Sequence, residues 1–263
     1  MHVSGLWIYP VKALRGVERS QSKMTRFGLE HDRRYMLARP DGTFITQRTH
    51  PQLATFDVVA GEAGFDVVSS SGERVSIPWN GVDGEPVEAT IWKDTVPARF
   101  GHDRADDFFS RPVGEALRLV WMPDSTHRQT DLEWSEEGDQ VSFADGYPIL
   151  ILSEASVASI NDRLEQPLPA DRYRANVILA GPAAWEEDSW SHVHLGDVPI
   201  RVVKPCGRCI VTTTDQQTGE RGKEPMQTLA TWRKQDGKVR VGMNCIPASE
   251  GGIIRVGDPI TVI

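Results

Sequence analysis

The chain has 263 residues, 39% of them hydrophobic and 25% charged, which is enough to bury a sizeable core in one large or two compact domains. A formal charge of -8 argues against a non-specific polyanion binder, whose affinity comes from many lysines and arginines neutralising phosphates, but local cationic clusters still suit a small anionic ligand. Three cysteines exclude a disulfide framework and suit a reducing compartment.

The opening MHVSGLWIYPVKALRG lacks the basic flank and small-residue cleavage site of a secretion signal, and no run approaches a membrane span, so a cytoplasmic protein without membrane or nucleic-acid partners is expected. VSGLWIYPVK, RRYMLARP, TFITQ, FDVVAG, FDVVSS and RVSIP are short β-rich runs between turn signals such as PDG and SSGE. They predict an antiparallel barrel or sandwich over roughly the first hundred residues. DDFFSRPVGEALRLVWM reads as a short helix and then a strand. STHRQTDLEWSEEGDQ is polar and aperiodic, the best linker or surface loop in the chain, and it sets the expected division into residues 1–120 and 121–263.

YPILILSE then predicts a buried strand, and SEASVASINDRLE an amphipathic helix capped by Ser153, with Val157, Ile160 and Leu164 on one face. Strands follow at RANVILAG, HVHLGD, IRVVK, CIVTTTD, KVRVGMN and GGIIRVGDPITVI. The fold class expected is mostly β with some α.

KPCGRC, residues 204–209, holds two of the three cysteines. A structural zinc site needs about four Cys or His ligands, and here Cys245 is isolated while His192 and His194 lie on a strand without a metal-site pattern. A redox dithiol needs a helix N-terminus to stabilise its thiolate, whereas Ile-Val-Thr-Thr-Thr after Cys209 is strand-forming. Two readings stay open on the residues alone. Both thiols pack in a core, or a thiolate at a loop-to-strand corner between Lys204 and Arg208 is a soft-metal ligand.

YPVKALRG, GLEHDRRYML with FITQR, FADGYPILILSEAS, RYRANVILAG, WEEDSW, KPCGRCIVTTTDQQTGE, EPMQTLATWR and GGIIRVGDPI, in this order and spacing, resemble the MOSC family. The resemblance spans nearly the whole chain. The subgroup it resembles joins a MOSC β-barrel domain to an N-terminal β-barrel and includes the amidoxime-reducing components.

The resemblance implies a molybdenum cofactor of the molybdopterin type whose metal takes one protein thiolate, from the second cysteine of the motif, which is Cys209. It makes Cys206 a neighbour. It implies that Lys12 and Arg33 hold the cofactor phosphate and that Arg174 approaches the pterin, with Asp145 and Asn176 at adjoining motif positions. Ala13 stands where the family often carries serine. Asn244 is kept, while Met243 and Cys245 depart from the family pattern, and Cys245 is read as a packed thiol. Glu186, Glu187 and Asp188 are read as structural, Arg15, Arg34, Arg48 and Arg172 likewise, and TTTD as an Asx-type turn with the roles of Thr214 and Asp215 open. The implied activity is reduction of small N-hydroxylated compounds to amines or amidines. Three cysteines cannot also ligate an iron–sulfur cluster, so a separate ferredoxin- or flavin-type electron-transfer partner is expected. The rival reading is a cofactor or sulfur carrier without turnover.

Overall fold

Continuous apolar runs form the middle of the molecule's main sheet, and alternating ones form smaller sheets beside it. The computed structural model describes residues 1–81, 83–101 and 103–263, and among these the chain is mostly β with three α-helices. The main sheet has nine strands. Its path runs Ile260–Val262, His192–Leu195, Val198–Gly207, Lys238–Pro247, Ile149–Ser153, Val177–Ala180, His2–Ile8 and Val17–Arg19, with Lys234–Gln235 paired to Lys238–Pro247 off that path.

ILILS is buried at every position, as a strand covered on both faces must be. It runs parallel to Val177–Ala180, a pairing that needs a crossover. Helix Glu154–Asn161 supplies one. Ser153 caps it, its Oγ accepting from the Ser156 N–H at 3.1 Å, and Val157 and Ile160 are buried beneath. Leu164 falls beyond the last helical residue.

Backbone pairing ties the two halves of the chain together. His2–Ile8 pairs antiparallel with Val177–Ala180 in the register His2↔Ala180 and Leu6↔Val177, and Gln21–Thr25 pairs with Ile253–Arg255. The rest of the first half forms two antiparallel sheets. One is Tyr35–Ala38, Arg118–Trp121, Asp94–Phe100 and Pro86–Ile91, and the other is Asp57–Ala60, Gly64–Val68 and Arg74–Pro78. Helix Asp103–Val113 buries Phe108 and Phe109 against Phe56.

Two local expectations are corrected, and the polar stretch after Ser125 takes one of its two expected forms, a surface loop. CIVTTTD is not a strand: Val198–Gly207 ends before Cys209, and Ile210–Thr213 forms one 3-10 turn. The threonines permit it because Thr212 Oγ1 donates to the Cys209 carbonyl at 2.9 Å and Thr213 Oγ1 to that of Ile210 at 2.8 Å. TFITQ forms isolated bridges from Thr43 and Phe44 rather than a strand, and the Gln47 side chain anchors its end by donating to the Ala13 carbonyl at 2.7 Å. The polar stretch after Ser125 is no free linker. Arg128 is 3% exposed and donates to the carbonyls of Ser142 at 2.7 Å and Ala144 at 2.6 Å, with Asp94 as its ion-pair partner.

Candidate functional site

Tyr9 and Pro10 follow the first strand, and the chain turns through Ala13 with a left-handed φ of 72°. That turn sends Lys12 inward. Its backbone N–H donates to the Tyr35 carbonyl at 2.7 Å, its Nζ donates to the Phe143 carbonyl at 2.9 Å, and its ammonium pairs with Asp145. Burial pushes the Lys12 ammonium down to about 8.

Asp145 is shared. Its side chain is 62% exposed, Trp92 Nε1 donates to it at 3.3 Å and Arg48 stands 3.7 Å away. Desolvation by the protein packed along one side of it works to raise its carboxyl, and the Lys12 ammonium and then Arg48 outweigh that and hold it below the usual carboxylate range. Arg48 also lies 4.2 Å from the Trp92 ring centroid.

Arg33 and Arg174 come from opposite halves of the chain and meet at Tyr9. Both have left-handed backbones, with φ of 47° and 52°. Their guanidinium carbons lie 4.1 and 4.3 Å from the same Tyr9 ring centroid, within cation–π range. Arg33 donates to Asp32 at 2.6 Å, to Asn176 Oδ1 at 3.1 Å and to the Arg174 carbonyl at 3.3 Å. Asp32 is fully buried and also accepts the Tyr9 N–H at 2.8 Å. The Arg174 guanidinium has one hydrogen bond among the described residues, to Gln216 Oε1 at 3.4 Å, and its burial pushes it down to about 10.

Asn176 ties the halves together. Its Oδ1 also accepts the Leu150 N–H at 3.1 Å, and its Nδ2 donates to the Trp7 carbonyl at 3.1 Å. Its side chain therefore orients Arg33 and the flanking strands.

The cysteine loop approaches from the other side. Arg208 donates to Cys206 Sγ at 3.0 Å and to the Tyr173 carbonyl, next to Arg174, at 2.7 Å. Cys206 and Cys209 are half-buried, whereas Cys245 is fully buried and burial pushes its thiol up. Arg208 Nε and the Tyr173 hydroxyl are buried without a hydrogen-bond partner. The same loop carries Gln216, whose amide exchanges hydrogen bonds with Gln47 at 3.1 Å in both directions. Among the described residues no three His, Cys, Asp or Glu side chains gather as a metal-holding group.

The structure thus joins Lys12 directly to Asp145, and Arg33 directly to Asn176 and the Arg174 backbone. The cysteine loop reaches Tyr173, next to Arg174, through Arg208, whose thiol partner is Cys206, and Cys209 follows Arg208 in that loop. Arg15 and Arg172 form ion pairs with Asp57 and Asp215, and Asp215 accepts the N–H groups of Gln217 at 2.8 Å and Thr218 at 2.9 Å in the expected Asx turn. Glu187 is buried and structural, accepting the Ser153 N–H at 3.1 Å. Sequence reading missed Tyr9, Asp32, Gln47, Trp92 and Gln216, and it assigned Arg48 no part at Asp145. All of these but Trp92 lie inside quoted motifs, as does Arg208. Two surface grooves, of about 390 and 500 Å³, lie elsewhere, one along Gly64–Phe65 and Ile77–Pro78 and one beside Lys23 and Ile253.

Comparison with known proteins gives two family matches: the MOSC domain over residues 138–261 and the MOSC N-terminal beta barrel domain over residues 1–116. Mitochondrial amidoxime-reducing component 1 of Homo sapiens is 31% identical, with 99% of this chain and 82% of that protein covered. The Mus musculus protein of the same name is 30% identical at the same coverage. Mitochondrial amidoxime reducing component 2 of Homo sapiens is 29% identical over 98% of this chain and 82% of its own. With both domain matches present and full-length similarity at this level, the chain belongs to the MOSC family, in the arrangement that pairs a MOSC domain with its N-terminal β-barrel.

Proposed function

We propose that this protein is a molybdenum-cofactor-dependent reductase of small N-hydroxylated compounds, with Cys209 as the protein's ligand to the metal and a separate electron-transfer protein as donor. The observation that carries the reading is the meeting, at residues 172–176, of a half-buried thiol loop with incompletely paired buried cations, in a chain similar along its length to amidoxime-reducing components.

The donor set suits such a cofactor. A sulfur-binding metal takes a thiolate readily, and a pterin that brings its own sulfur donors would need only one thiolate from the chain. Lys12, Arg33 and Arg174 would hold the phosphate and pterin through point charge and forked N–H donors. Arg208 Nε and the Tyr173 hydroxyl are unpaired polar groups of the kind a polar cofactor satisfies. Asn176 orients Arg33, and Asp145 balances Lys12.

When bound, the cofactor supplies the two-electron redox chemistry. Overall, the substrate N–O bond breaks, two electrons and two protons enter, and an amine or amidine and water leave. The chain's part is to fix the thiolate and hold the anionic cofactor among buried cations.

Metal analysis of protein purified from a cofactor-competent host tests the reading. Wild type and Cys206→Ala should contain molybdenum, and Cys209→Ala should lose it. Molybdenum at wild-type occupancy in Cys209→Ala would overturn the ligand assignment. Chemically reduced wild type should convert benzamidoxime to benzamidine, and a metal-loaded protein that does not would be a carrier instead.

A further inference from the structure

We infer that Tyr9 is the positioning residue of the cationic site: its ring and backbone set the spacing of Arg33 and Arg174, so that the two guanidinium groups act together on one anionic ligand. This rests on the proposed cofactor site and adds to it a residue that touches the arginines rather than the metal.

Three contacts make the case. The Arg33 N–H donates to the Tyr9 carbonyl at 2.8 Å, which fixes the backbone of the first arginine. The Tyr9 hydroxyl donates to the Ala175 carbonyl at 3.2 Å, one residue beyond the second. Between these anchors both guanidinium groups rest on the ring, at 4.1 and 4.3 Å from its centroid. The ring itself is 4% exposed.

Charge explains why such a platform is needed. Two like charges brought to one ring repel, and Asp32 is the one carboxylate hydrogen-bonded to either guanidinium among the described residues. Lys12 and Asp145 neutralise each other nearby. The group as a whole therefore carries an excess positive charge, held in place by the Tyr9 π-face and by strained left-handed backbones at both arginines. Strain and like-charge crowding kept together at one spot are features of a ligand clamp.

Gly16 supports the same reading from a distance. A Cβ at Gly16 would come within 2.7 Å of Tyr9 Cε1 and 3.1 Å of Cδ1. Gly16 is not left-handed, so its bare α-carbon serves the Tyr9 ring rather than a turn. The glycine that closes YPVKALRG leaves room for the tyrosine that opens it.

The experiment compares wild type, Tyr9→Phe, Tyr9→Leu and Gly16→Ala. Fold is followed by circular dichroism and thermal melting. Molybdenum and pterin content are measured on protein from a cofactor-competent host, and inorganic pyrophosphate binding is measured by calorimetry on cofactor-free protein. Tyr9→Phe keeps the ring and should stay within about threefold of wild type for both ligands, having lost one neutral hydrogen bond. Tyr9→Leu should weaken pyrophosphate binding by roughly tenfold or more and lower cofactor content, since two cation–π contacts are lost. Gly16→Ala keeps every contact residue, and it should fall between the two while remaining folded. It decides the matter if Tyr9→Leu does not fold.

Folded Tyr9→Leu or Gly16→Ala with wild-type cofactor content and wild-type pyrophosphate affinity would overturn the inference. Wild type that binds pyrophosphate but carries no molybdenum would overturn the proposed function and leave the clamp standing. Wild type that holds neither ligand would overturn both.

Discussion

Around Lys12 and Arg33 the buried charges meet partners within the chain: Lys12 has Phe143 and Asp145, and Arg33 has Asp32, Asn176 and the Arg174 carbonyl. Around Arg208 they do so only in part. Arg208 Nε, the Tyr173 hydroxyl, Arg172 Nε and Asp171 Oδ1 are all buried without a hydrogen-bond partner. The first region is pre-organised, with its internal bonds already in place. The second keeps several donors unpaired, and unpaired buried polar groups are rare enough in proteins to ask for an explanation. Under the proposed function, phosphate recognition is built into the chain, whereas the thiol end becomes complete when ligand arrives.

If that contrast is right, substitutions should hurt stability unequally at the two ends. Asp32→Ala leaves a buried guanidinium and the Tyr9 N–H without their acceptor, and it should lower unfolding free energy in urea by about 3–5 kcal/mol. Arg208→Met removes a cation that was only half satisfied, and it should lower stability by about 1 kcal/mol or less. Equal losses would erase the distinction.

The pH dependence of stability sharpens it. Burial lowers Lys12 in the folded state from its ordinary 10.5 to about 8, so between those values the unfolded chain binds more protons than the native one. Stability should therefore rise with pH from about 8 towards 10.5, by an amount on the order of 3 kcal/mol if no other group opposes it. The increment should vanish in Lys12→Met, whose apolar side chain still fills the site. On the acid side, Asp145 contributes stability that is full above the ordinary carboxylate range and is lost as pH falls below it. A denaturation series across pH for wild type and Lys12→Met checks both signs.

The smallest effect is expected next to the lysine. Ala13 has a left-handed φ of 72°, so Ala13→Gly should raise the melting temperature slightly, corresponding to about 0.5–1 kcal/mol. An unchanged or lowered value would mean that the Ala13 methyl group, 8% exposed, earns its place by packing.

What the sequence made legible was local or carried by motifs. Ser153 as a cap, the Asx turn at Asp215 and the buried ILILS strand follow from nearest-neighbour chemistry. Lys12, Arg33 and Arg174 were found as motif positions; Arg33 and Arg174 share the Tyr9 ring, whereas Lys12 pairs with Asp145. Tyr9 stayed hidden because its partners are far away in the chain, and a tyrosine at a strand end ordinarily reads as core. The strand expected at CIVTTTD failed because two threonine side chains, Thr212 and Thr213, bond back to nearby backbone carbonyls, which β propensity does not count. The polar 125–140 segment looked wholly solvated because its buried members are polar, and the charged one, Arg128, is paired through Asp94 and through carbonyls that no pattern predicts.

The N-terminal strand carries a consequence for how the protein is made. His2–Ile8 leaves the ribosome well before one of its two neighbours, Val177–Ala180, which lies much further along the chain. Until then Val3, Leu6 and Ile8, buried in the finished sheet, belong to an unpaired edge that can recruit the wrong strand. Tyr9 and Lys12 hang from the end of that edge, so their side of the site takes shape after most of the chain has emerged. Under the proposed function, cofactor loading would therefore be a late event in biosynthesis, and early nascent chains are the stage at which a chaperone would raise the yield.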